Sequence, residues 1–141
     1  MLKTNPIITE NEKSINYQFP ITMSQSEITP ERDEHELAAI KFDKKFGIRP
    51  HLLGYSFLIK AITLALETSH LLRSLKKELY PLIADHFGKD SRAIERNIRN
   101  AIESAYENDP ERIRSIFYYK VDKPYVSEVL SVAVESIRYE R

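Results

Sequence analysis

The chain has 141 residues, enough for one domain of ordinary size with a short extra arm. Its 21 Lys and Arg balance 21 Asp and Glu, which argues against coating nucleic acid or membrane by bulk charge, while 42% hydrophobic residues supply a real core. No cysteine is present, which excludes disulfides, cysteine metal clusters and thiol catalysis, and a reducing cytosol is the expected compartment.

In chain order, residues 1–29 are polar, rich in Asn, Thr, Ser and Glu, and read as an arm or tail with one strand at Ile15–Phe19. Residues 30–141 read as the folded domain. Thr29-Pro30-Glu31 is an N-cap, a proline at the first helical position and an acid in the first turn. That helix carries Leu37, Ala38, Ile40 and Lys41 on to Phe46, and Gly47 stops it. A second helix over 52–67 places Leu52, Tyr55, Leu58, Ile59, Ile62 and Leu66 at helical spacing, with more apolar residues behind, as a central buried helix would. Its oily stretch is broken by Gly54, Ser56, Lys60 and Thr63, so no membrane span is expected. Ser69 caps a short helix through Lys77, and Pro81 starts or kinks another to Phe87, ended by Gly88. Asp90 or Ser91 caps a longer helix to about Tyr106. A short turn follows Pro110, and the last helix runs from about Ser127 to Tyr139 with Val129, Leu130, Ala133, Val134 and Ile137 inward. The expected fold class is all-α, about six helices containing a helix-turn-helix, a winged-helix-like orthogonal bundle without a substantial sheet.

The charges are unevenly spread. Residues 46–100 hold 9 cations and 5 anions, whereas 1–45 and 101–141 each hold 6 cations and 8 anions. The basic middle contains the informative stretch, Leu79 to Glu103. A tight helix-turn-helix needs a small residue where the second helix crosses the first and a glycine where φ turns positive. Ala84 and Gly88 supply these four residues apart, Ile83 and Phe87 face the core, and Ile94, Ile98, Ala101, Ile102 and Ala105 form one apolar stripe. The opposite face offers Arg92, Glu95, Arg96, Arg99, Asn100 and Glu103, the layout of a DNA recognition helix. Arginine pairs with guanine O6 and N7, asparagine with adenine, and a carboxylate accepts from cytosine N4. Arg73, Lys76, Lys77, Lys89, Arg92 and Lys123 are candidate phosphate contacts, as are Ser91 and the helix-start N–H groups beside it. A solvated helix face has the same composition, and Glu95–Arg99 is also an ordinary i,i+4 pair, so pattern alone leaves both readings open.

From about residue 47 to 139 the chain resembles the C-terminal DNA-binding effector domain of the sporulation initiation master regulator, stage-zero sporulation protein A. The resemblance rests on Gly47-Ile48-Arg49-Pro50-His51, Gly54-Tyr55 with Ala61-Ile62, Leu79-Tyr80-Pro81 with Ile83-Ala84, and Ile94-Glu95-Arg96 with Ile98-Arg99 and Ala101-Ile102-Glu103. Ser115-Ile116-Phe117 and Lys123-Pro124 with Ser127-Glu128 continue it. It implies a six-helix domain that binds double-stranded DNA with a GTCG-like box, pairs head-to-tail on tandem boxes and touches RNA polymerase sigma factor. It puts base reading on Arg96 and Arg99, with the acid beside them on Glu95. Asn100 stands where the family often has histidine, and the family's Ser-Arg before the aliphatic-Glu-Arg motif is here Arg92-Ala93. Some 45 residues precede the match, too few for a receiver domain, so a free-standing effector is expected.

Other chemistry finds little footing. His35, His51, His70 and His86 are scattered without metal-ligand spacing, and Asp85 and His86 point to different sides of one helix, so no metal, cofactor or catalytic site is expected. The Tyr118-Tyr119 pair is expected to pack rather than stack on bases. The alternative reading is an interaction module that pairs with a full-length regulator or with sigma factor and blunts its action.

Overall fold

The computed structural model describes residues 30–119 and 122–139. The polar arm expected over residues 1–29, its strand at Ile15–Phe19 and the Thr29 cap lie outside the described residues. Six α-helices follow one another: α1 (Pro30–Phe46), α2 (Leu53–Glu67), α3 (Tyr80–Phe87), α4 (Ser91–Asn108), α5 (Pro110–Ile116) and α6 (Val126–Tyr139). No strand occurs among the described residues, and the fold is all-α. None of the described helices is long and apolar enough to cross a membrane.

α2 is the central helix, packed against α3, α4 and α6. Phe57, Leu58, Ala61, Ile62, Ala65 and Leu66 are all buried on it, which accounts for apolar residues on more than one side. The α2–α4 crossing is unusually close. A Cβ added to Gly54, near the start of α2, would fall on the main-chain carbonyl of Asn97 and lie 2.6 Å from the Ala101 Cβ. Only glycine fits there, opposite an alanine, and the buried stripe Ile94, Ile98, Ala101, Ile102 and Ala105 of α4 closes over α2 and α3. From α6, Val129, Leu130, Val132, Ala133 and Val134 complete the core, while Ile137 is only partly buried.

Two elements differ from their sequence patterns. Instead of one helix from Ser69 to Lys77, the chain makes a 3₁₀ turn at Ser69–Arg73 and a single π-helical turn at Leu75–Leu79 that runs into α3. Ser74 breaks the continuity with an irregular backbone (φ −143°, ψ 56°), and the split turns Leu71 and Leu79 into the core together. His70 Nε2 lies 3.1 Å from Glu78 Oε1 and joins the two turns; that hydrogen bond holds the Glu78 carboxyl below its ordinary range. The turn expected after Pro110 is the seven-residue α5, capped by the Asp109 side chain accepting from Arg112 N–H.

The stops read from glycine hold for a backbone reason. Gly47 (φ +94°) and Gly88 (φ +66°) are left-handed. Among the described residues nothing lies within 4 Å of a Cβ added at Gly88, so its conformation, not space, selects glycine. In α1 the inward residues are Ala39, Phe42, Asp43 and Phe46, whereas Leu37 is 59% exposed.

Asp43 is the anomaly of the core. It is fully buried, and among the described residues neither carboxylate oxygen has a hydrogen-bond partner. Burial therefore pushes its carboxyl up to about 8 from 3.8, so the folded chain holds it as a neutral acid at neutral pH.

Gly54→Ala should lower unfolding free energy by about 3 kcal/mol or more, because rigid main chain blocks the methyl group. Gly88→Ala should cost about 1–2 kcal/mol, the backbone cost alone; urea denaturation measures both. For Asp43 the folded state binds a proton that the unfolded state has released between pH 3.8 and about 8. This contribution to stability is full below that window and is lost as pH rises through it. Asp43→Asn should flatten that decline, making the variant more stable than wild type at pH above 8 by on the order of a few kcal/mol. An unchanged pH profile would contradict the assignment.

Candidate nucleic-acid interface

The α3–α4 pair forms the helix-turn-helix. Ala84 is buried, and its carbonyl accepts from the N–H groups of Gly88 and Lys89, closing the end of α3. Three residues later α4 begins. Asp90 is its N-cap: the carboxylate accepts from Arg92 N–H at 3.0 Å and the carbonyl accepts from Ala93 and Ile94 N–H. Ser91 is the first helical residue rather than the cap. Of the helix-start N–H groups near Ser91 that the sequence offers to phosphate, those of Arg92, Ala93 and Ile94 are thus already taken by Asp90.

With the buried stripe turned inward, α4 presents Arg92, Arg96, Arg99 and Asn100 as an exposed row over its first three turns. Arg92 is 89% exposed, loosely paired with Asp90 at 3.9 Å. Arg96 has no ion pair among the described residues, and Arg99 pairs with Glu95 at 3.9 Å. Asn97 is not part of this row: its Nδ2 donates to the Ala93 carbonyl at 2.8 Å on the flank that faces α2.

Beside the row lies a groove of about 490 Å³ bounded by the π-helical turn, α4 and the segment entering α6. Lys76, Glu95, Arg99 and Lys123 meet here, so four side chains assigned separately from sequence share one site. Its floor includes Tyr80, Ile102 and Val126. Burial pushes the Tyr80 hydroxyl up to about 12, with the Glu95 charge adding to the shift and Arg99 opposing it, so it stays neutral at ordinary pH. Lys77, Lys89 and Arg73 are exposed but line no part of this groove.

Sequence reasoning missed the α6 approach. Tyr125 N–H donates to Glu128 Oε1 at 2.9 Å, the reciprocal half of a capping box, and Tyr119 OH donates to Glu128 Oε2 at 3.2 Å. Pro124 is buried, so Lys123 and Tyr125 are carried on an anchored segment beside α4. The Ser127-Glu128 pair at the helix start was the available signal. The Tyr118-Tyr119 pair is edge-on at 5.2 Å, yet Tyr118 is 82% exposed, so this packing is of two rings at the surface and not in the core. No group of His, Asp and Glu among the described residues is arranged to hold a metal ion.

A family model described as the C-terminal domain of the sporulation initiation factor Spo0A matches residues 40–137. The match spans the second half of α1 through nearly all of α6, and with it the whole groove and the exposed row of α4.

Proposed function

The chain belongs to the Spo0A C-terminal family, the DNA-binding effector domain of a sporulation transcription regulator, and on that premise we propose that it reads duplex DNA sequence-specifically with α4 in the major groove. The observation that carries this reading is the exposed row Arg92, Arg96, Arg99 and Asn100, set opposite a fully buried stripe on a helix that follows a glycine-ended α3. Such a helix is glued to its domain on one side and free to meet base edges on the other.

Each side chain has a role that its chemistry suits. Arg96 and Arg99 carry planar forks for guanine O6 and N7, Asn100 suits adenine, and Glu95 accepts from a cytosine amino group. Glu95 also pairs with Arg99, so the two act as one reading unit. Arg73, Lys76, Lys77, Lys89, Ser91, Arg92 and Lys123 supply contacts to the phosphates on either side. The family resemblance adds a GTCG-like box as the target, head-to-tail pairing of two copies on tandem boxes, and RNA polymerase sigma factor as a protein partner. A chain of zero net charge gains little from non-specific attraction, so affinity rests on these few cations and falls with salt.

The reading is tested by gel-shift titration at several salt concentrations. Arg99→Ala should lose about 1–3 kcal/mol of preference for the cognate box over a scrambled duplex. Lys77→Ala should weaken both duplexes alike and reduce the salt slope by about one. If Arg99→Ala keeps the wild-type preference, α4 is not the reading helix.

A further inference from the structure

Glu103 is an acidic residue of the α4 surface that base reading leaves without a role. It lies one turn beyond Arg99, lines the same groove, and its Oε2 is 3.8 Å from Lys123 Nζ. We propose that Glu103 competes intramolecularly with DNA phosphate for Lys123, holding the lysine until a duplex displaces the carboxylate, and so lowers the sequence-independent part of the affinity. This rests on the reading that α4 faces DNA.

Three features support the exchange. First, the 3.8 Å separation is an ion pair but too long for a hydrogen bond, so Lys123 is held by charge alone. The two side chains are 51% and 35% exposed, which leaves the lysine open to a second anion and makes the pair weak in water. Second, the segment that carries Lys123 does not depend on Glu103 for its position. Buried Pro124 and the two hydrogen bonds into Glu128 anchor it, so neutralising Glu103 frees a charge without releasing the backbone. Third, the groove already gathers Lys76, Arg99 and Lys123 around Glu95 and Glu103, three cations against two acids. A phosphodiester entering there replaces a carboxylate as the counter-charge of Lys123, and the displaced carboxylate turns to solvent.

Glu103 is thus a positioning residue for Lys123, and its removal should strengthen DNA binding. The test is fluorescence anisotropy on the full chain, with one duplex carrying a GTCG-like core and one scrambled duplex, across a range of KCl concentrations. Glu103→Gln should tighten both duplexes by the same factor, roughly three- to tenfold, with the salt slope unchanged, because Lys123 meets phosphate in both complexes. In a Lys123→Ala background the same change should give less than half of that gain. A slope steepened by about 0.9 in Glu103→Gln, which would mean that the carboxylate is never displaced in wild type, or an equal gain with and without Lys123, overturns the proposal. If wild type binds neither duplex, or Arg99→Ala binds both as wild type does, the DNA reading itself falls and this inference with it. If Arg99→Ala loses the preference while Glu103→Gln has no effect, the DNA reading stands and only the role of Glu103 is lost.

Discussion

At Gly54 the main chain of α2 comes so near to α4 that no side chain can stand between them. The Asn97 carbonyl and the Ala101 methyl occupy the space that a Cβ would need. This contact does more than fill the core. It fixes the rotation of α4 about its own axis, since Ala101 must face α2 for the helices to close. Once that rotation is set, Ile94, Ile98, Ile102 and Ala105 are carried inward, and Arg92, Arg96, Arg99 and Asn100 are carried outward. The outward placement of these α4 side chains therefore depends on a glycine of another helix. α3 contributes the second restraint, because left-handed Gly88 sets the angle at which the chain enters α4 and Asp90 ties down its first turn.

Charge acts within that frame. The net charge of the chain is zero, and the local arrangement shows how that neutrality is distributed. Asp90, Glu95 and Glu103 each sit within ion-pair distance of Arg92, Arg99 and Lys123 respectively. All three separations exceed hydrogen-bond length, so the acids moderate the cations without locking them. Buried Asp43 plays no part in this surface. It weakens the fold as pH rises, and the rest of the core tolerates it only because the carboxyl stays protonated.

Much of this was legible in the amino-acid order, and what was not has physical reasons. The helix stops at Gly47 and Gly88, the apolar stripe of α4 and the outward Arg and Asn residues all follow from local rules of backbone conformation and periodicity. The role of Gly54 was not legible, because close helix crossing depends on a partner far along the chain, and Gly54 reads locally as a mere break in an oily run. The split between the 3₁₀ and π-helical turns also escaped, since burying Leu71 and Leu79 together overrides the helical propensity between them. At the site, Arg96 and Arg99 could be named from pattern and resemblance. That Lys76 and Lys123 line one groove, and that Glu103 pairs with Lys123, required the segment entering α6 to fold back beside α4, a long-range event with no local signature.

The central claim is that α4 reads a defined sequence, and selection from a pool of random duplexes at a stated salt concentration tests it most directly. The expected result is enrichment of a short GTCG-like core, recovered in tandem on the same strand at a fixed spacing, as head-to-tail pairing requires. A retained pool with the same base composition at every position as the input, at every salt concentration where the protein still holds DNA, would contradict it.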